Sequence, residues 1–128
     1  MTPVSITLKQ LAGRHAIARQ PPDSPIPDWA DGAGFLSISR TEDELSVVCR
    51  EERVPVDVRQ DRGWTCFKFQ GPFAFSETGI ALAVIRPLSE KGVGIFLVST
   101  FDTDYLLIKT ADVERSRLFL SEAGHVLF

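Results

Sequence analysis

Residues Gly94–Ile108, GIFLVSTFDTDYLLI, decide how this chain is read. Two apolar runs, Gly94–Ser99 and Tyr105–Ile108, flank the polar stretch Thr100–Asp104. Short runs rich in β-branched and aromatic side chains favour strands, and the first is apolar enough to predict burial on both faces. Upstream, Ile80, Val84 and Leu88 recur every four residues and give one apolar helical stripe. Ser76 is the expected N-cap of that helix, with Glu77 in its first turn, where the dipole favours an acid. Pro87 should bend the last turn, because it has no N–H to give the Ala83 carbonyl, and Gly92 is the expected stop. Before the helix, Gly71-Pro72 punctuates, and Trp64–Phe69 (WTCFKF) reads as a strand. Downstream, Thr110 can cap a second helix with Asp112 and Glu114 in its first turn. Val113 and Leu120 lie seven apart on its inner face, and the small Ser116 leaves room between them. Gly124 ends it, and His125–Phe128 can close as a last short strand. The order from Trp64 to Phe128 is strand, helix, strand, strand, helix, strand. That is the split βαβ of ferredoxin-like α+β folds, an antiparallel sheet with both helices on one face. The opposite, apolar face then needs a cover, either the first half of the chain or a second chain.

The first half is strand-rich and less regular. Val4–Leu8 alternates, and Arg14–Arg19 reads as a strand. Prolines 21, 22, 25 and 27 forbid helix or central strand after it. Asp28–Ala30 is expected as a single helical turn under Trp29. Phe35–Ser39 and Leu45–Arg50 are expected strands joined by the polar turn Thr41–Glu44, and Val54–Val58 alternates once more. The polar stretch Arg59–Gly63 is the expected boundary, giving units of residues 1–61 and 62–128 that are docked, since the connection is short.

Composition narrows the function. The 128 residues are 44% hydrophobic and 24% charged, as expected of one ordinary globular domain or two very small ones. A net charge of −3 lacks the positive field that holds nucleic acid. No apolar run approaches the ~20 residues of a membrane span, and MTPVSITLKQ does not read as an export leader. Cys49 and Cys66 are expected as free thiols in the cytoplasm. His15 and His125 stand at opposite ends of the chain, and neither cysteine has a partner at zinc spacing, so no metal or other cofactor is expected. Dinucleotide, P-loop and nucleophile-elbow motifs are absent. The chain offers more for binding than for catalysis.

Four segments carry a resemblance. Ser99–Ile108 (STFDTDYLLI), with Gly94-Ile95-Phe96 before it and a capped helix after it, resembles the STFDTDY(I/L)LV segment of small bacterial proteins built from paired ACT-like domains. It is similar also to the regulatory ACT domains of aspartokinases and to the cytosolic arginine sensors of animals. Pro21–Ala30, Phe35–Thr41 and Val48–Glu52 resemble the same bacterial family. The resemblance implies two ACT-like units, the first of them degenerate, and an amino-acid site at an interface between ACT units. Carried over by motif, that site comprises Phe75, Ser76, Glu77, Thr78, Gly79 and Ile80 before the first helix, and Thr100, Phe101, Asp102, Thr103 and Asp104 between the strands. A helix N-terminus suits the ligand's carboxylate, and Asp102, Asp104 and Glu77 suit its ammonium or a guanidinium. Asp102 and Asp104 also fit an Asx-type turn or a metal pair, with the turn favoured because no third acidic ligand is near. The expectation is a non-catalytic regulatory protein that binds an amino acid or similar zwitterion. It is expected to be homodimeric through strand edges or helices, and to act on a protein partner that the sequence does not name. The alternative is an interaction module that keeps the fold without a ligand. An amino-acid kinase is the weaker rival, since no length remains for a kinase domain.

Overall fold

The computed structural model describes residues 4–74 and 76–128. In chain order the strands are β1 (Thr7–Gln10), β2 (His15–Gln20), β3 (Ser37–Arg40), β4 (Leu45–Arg50) and β5 (Arg59–Phe69), then β6 (Ile95–Ser99), β7 (Asp104–Lys109) and β8 (Val126–Leu127). The helices are α1 (Ile80–Glu90) and α2 (Val113–Glu122), and 3₁₀ turns occupy Asp28–Ala30, Glu51–Arg53 and Thr110–Asp112. The chain divides into an N-terminal unit, Ala12–Trp64, and a C-terminal unit formed by Thr65–Phe128 with the segment that ends at Leu11. Sequence alone placed that first segment with the N-terminal half and the boundary between residues 61 and 62.

In the C-terminal unit the strand order is β6-β7-β5-β1-β8. β6 and β7 are antiparallel from Ile95↔Ile108 to Ser99↔Asp104. β1 is antiparallel to β5, with Leu8 opposite Phe69, and parallel to β8, with Leu8 opposite Leu127. The succession β5-α1-β6-β7-α2-β8 is the ferredoxin-like one, with β1 inserted between its first and last strands. Alternation explains the insertion. Ile6 and Leu8 point to one face and are buried with Phe67, Phe69, Val84, Leu88, Val93, Leu106, Ile108 and Leu120. Burying a side chain such as Phe67 or Phe69 contributes roughly 1.5–3 kcal/mol.

Two local expectations change here. β6 is half-buried, because it lies at the end of the strand order and pairs only with β7 among the described residues. An apolar run therefore did not mean burial on both faces. Helix α1 starts at Ile80, and its N-cap is Gly79 (φ +78°), so Ser76 does not cap it. Gly79 enters the helix from a left-handed conformation that a serine or threonine adopts poorly. The far end is as read: Gly92 has φ +76°, and the Val93 N–H donates to the Leu88 carbonyl at 3.0 Å, closing the helix over its own core residue.

The N-terminal unit runs β2, 3₁₀ turn, β3, β4, 3₁₀ turn, β5, with strand order β3-β4-β2-β5. Succession and order are again ferredoxin-like, but each helix has shrunk to one turn. Proline explains why: Pro21–Pro27 leaves no length for the first helix, and Pro55 blocks extension beyond Val54. The small core consists of Ala16, Ala18, Ala30, Leu45, Val47, Cys49 and Val54, flanked by Trp29, Leu36, Ile38 and Val58. Val54–Val58 is a turn closed by the Val58 N–H on the Pro55 carbonyl (3.1 Å), so the strand expected there is absent. The expected linker Arg59–Gly63 is strand instead, pairing Arg59, Gln60 and Asp61 with Arg19, Ala18 and Ile17. The register then shifts by an extra residue on β5, where Gly63 has φ +80°. A polar sequence with one glycine reads as a loop, yet it satisfies a ladder plus bulge equally well.

Candidate functional site

The C-terminal unit carries a cleft of about 250 Å³ between the segment leading into α1 and the β6–β7 connection. Phe73, Ala74, Glu77 and Ile80 line it on one side, and Ser99 to Asp104 line it on the other. The two walls are tied together, since the Phe73 N–H donates to the Asp102 carbonyl at 3.0 Å. Gly71 permits that approach, because a Cβ there would lie 3.0 Å from the Phe73 nitrogen and 3.2 Å from the Asp102 oxygen.

The β6–β7 connection is closed by its threonines and not by its aspartates. The Thr100 N–H and hydroxyl donate to the Thr103 carbonyl at 2.9 and 2.7 Å. The buried Thr103 hydroxyl donates to the Phe69 carbonyl at 2.7 Å and pins the turn to β5. An Asx-type turn is therefore not what holds this loop. Neither the exposed Asp102 carboxylate nor that of the half-buried Asp104 takes part in closing it. On the other wall, the Ala74 N–H donates to Glu77 Oε1 at 2.8 Å, and the Glu77 N–H donates to the Ala74 carbonyl at 2.9 Å. Glu77 thus caps its own turn, three residues ahead of the helix. Gly79 has no side chain with which to cap α1, so the first-turn N–H groups carry the helix's partial positive charge uncapped by a side chain. The cleft combines a helix N-terminus with three carboxylates and has no basic side chain in its lining. Such a lining can take a positive group on the aspartates and a negative one near the helix start.

Of the residues expected at the site, the structure brings together Glu77, Ile80, Thr100, Phe101, Asp102, Thr103 and Asp104. Ser76, Thr78 and Gly79 are exposed in the approach to α1 and do not line the cleft, and Phe75 lies outside the described residues. Phe73, Ala74 and Ser99 join the lining although sequence reasoning passed over them. The Gly71-Pro72 punctuation marked a turn, but nothing in it said that the turn would fold back onto Asp102. Among the described residues no three His, Cys, Asp or Glu side chains gather as a metal site. No helix of the described residues is long and apolar enough to cross a membrane.

A family model for the ACT domain matches residues 59–117, and a second model, described as an N-terminal domain, matches residues 13–57. The crystal structure of Atu0741 from Agrobacterium tumefaciens is 58% identical. The alignment covers 98% of this chain and 93% of that one, with a TM-score of 0.94. The regulatory subunit of aspartate kinase from Thermus flavus is only 9% identical, yet it superposes with a TM-score of 0.63 over 94% of this chain and 97% of its own. The human protein CASTOR3P is 27% identical over 92 residues, which are 62% of this chain. The match spans about half of that relative, 56% of its length. The chain belongs to the small tandem ACT-domain proteins, and its fold is that of the regulatory ACT pairs of aspartate kinases.

Proposed function

We propose that this chain is a non-catalytic regulatory protein that binds an amino acid, or a similar small zwitterion, in the cleft between residues 73–80 and 99–104. The observation that carries the reading is one cleft holding both the uncapped start of α1 and the carboxylates of Asp102 and Asp104. The ligand's carboxylate faces the helix N-terminus and its ammonium faces the aspartates. Ligand binding then acts by favouring one of two arrangements of ACT units, with differential affinity setting the size of the shift. The output passes to a partner protein. The fold supports this role, since the regulatory subunit of an aspartate kinase shares it. Both cysteines are buried as free thiols, which supports a reducing, cytoplasmic setting.

Calorimetric titration against the twenty amino acids tests the site. At least one should bind with a Kd below about 1 mM, and Asp104→Ala should weaken it at least tenfold, a loss of about 1.4 kcal/mol. Failure of all twenty at millimolar concentration leaves the ligand-free interaction module as the reading. Glu77 favours that second reading in one respect, because its carboxylate already holds the Ala74 N–H.

The protein is further proposed to be a homodimer. The groove between α2 and β8 is lined by Leu118, Val126 and Leu127 beside Glu114 and Arg117, and Leu118, Val126 and Phe128 are all more than half exposed. Sedimentation should show a dimer at micromolar concentration, and Leu118→Glu should shift it to monomer. A wild-type monomer at all concentrations overturns the dimer.

A further inference from the structure

In the N-terminal unit two arginines lie against glycine backbone. A Cβ added to Gly13 would come within 2.5 Å of Arg50 Nη1, and one on Gly32 within 2.8 Å of Arg53 Nη1. The charges of this region are mostly spent on each other. Arg50 Nε reaches Glu52 Oε1 at 3.4 Å, and its Nη1 donates to the Ala12 carbonyl at 3.3 Å. Glu51 is held by Arg62 at 3.5 Å, by Arg14 at 3.7 Å and by the Gly63 N–H at 3.1 Å.

Arg53 stands apart. Its Nε and Nη2 atoms are both buried and neither has a hydrogen-bond partner. These two donors share one edge of the guanidinium plane, the edge that grips a pair of carboxylate or phosphate oxygens. His15 feels the Arg53 charge; it is wholly buried, and both of its ring nitrogens lack a partner. Burial holds its pKa below the ordinary value, and the Arg50 and Arg53 cations act in the same sense, against Glu52 and Glu51. Cys49 does not fill the gap. Burial pushes its pKa up and keeps the thiol protonated, and although Arg53 would bond a thiolate, a neutral thiol is a weak acceptor. A cationic edge turned from water with no acceptor is costly, and an anion is what relieves it.

We propose that Arg53 and His15 form an anion subsite, separate from the cleft of the C-terminal unit, that takes one carboxylate or phosphate group. Arg53 Nε–H and Nη2–H hold two of its oxygens side-on, and His15 donates from a ring nitrogen to the same group. Gly32 leaves the space that the guanidinium occupies, since a side chain there would displace Arg53.

Thermal unfolding of the full chain, titrated with acetate or with phosphate at ionic strength held by sodium chloride, tests this. The midpoint should rise saturably, by about 5–10 °C at a hundredfold excess over Kd. Arg53→Met should abolish the rise, and Arg86→Met, on an exposed face of α1, should leave it intact. A response to acetate alone assigns a carboxylate ligand, and one to phosphate alone assigns a phosphate ligand. Should Arg53→Met fail to fold, NMR of the wild-type His15 ring gives the same answer, since the bound anion must raise its pKa. A flat titration, parallel rises in the wild type and Arg53→Met, or a His15 titration indifferent to both anions overturns the proposal and leaves ordered water as the occupant. None of these outcomes depends on whether an amino acid binds near Asp104.

Discussion

Replacing His125 with alanine should lower the unfolding free energy by about 3–5 kcal/mol, a large part of the stability of a protein this size. The His125 ring joins two backbone groups, the Ile6 N–H and the Ala83 carbonyl. Its Nδ1 accepts the Ile6 N–H at 3.0 Å, so in the neutral ring the proton sits on Nε2, which donates to the Ala83 carbonyl at 2.7 Å. That carbonyl is available because Pro87, four residues on, has no N–H to complete the helical ladder. Alanine at position 125 orphans both groups, at about 1–3 kcal/mol each, and leaves a cavity. Urea unfolding measures the loss. A double-mutant cycle isolates its cause: in a Pro87→Ala background the helix supplies its own N–H to Ala83, so His125→Ala should cost about 1–2 kcal/mol less there. Equal costs in the two backgrounds would show that the proline-freed carbonyl is irrelevant.

The second large effect is alkaline. Cys66 is fully buried on β5, and burial pushes its thiol pKa up from 9.0 to about 12. Between pH 9 and 12 the unfolded chain gives up a proton that the folded chain keeps. Stability from this group is therefore complete below pH 9 and is lost as pH rises through 12. Three units correspond to about 4 kcal/mol at the limit, and to about 2.5–3 kcal/mol by pH 11. Cys49 and Tyr105 shift in the same direction, chiefly through burial, and steepen the decline. Denaturation of the wild type and Cys66→Ala at pH 8 and pH 11 checks this. The variant should lose markedly less stability between the two pH values, and equal losses would assign the alkaline sensitivity to other groups.

The C-terminal half was legible because its elements are held by local patterns. The Ile80, Val84, Leu88 stripe, the Gly92 stop and the paired runs around Thr100–Asp104 each carry their own periodicity and punctuation. The edges of elements were harder to read. Ser76 has the chemistry of a cap, but Glu77 turns back onto Ala74 and the helix starts at Gly79. Serine followed by glutamate fits either geometry; the one adopted ties the Phe73 N–H to the distant Asp102 carbonyl, a contact that no local window contains. Val54–Val58 alternates like a strand, but Pro55 and the turn it closes take the segment out of any ladder. Arg59–Gly63 looks like a linker because backbone pairing leaves no mark on side-chain composition. As for the cleft, the motif around Asp102 and the approach to α1 pointed to the two walls. The self-closing threonine turn and the part taken by Phe73 were not visible.

Local pattern settled the succession of strands and helices from Trp64 onward: apolar stripes at helical spacing, short apolar and aromatic runs, and the glycines, prolines and caps that punctuate them. Tertiary structure decided where β1 goes. Ile6 and Leu8 would suit any antiparallel sheet, and only the shared core with Phe67, Phe69 and Leu120, with His125 reaching both Ile6 and Ala83, places that strand between β5 and β8. Partner choice of this kind is a long-range matter. It depends on which buried donors and apolar side chains are left over once the local elements have formed, and no window of neighbouring residues contains that information.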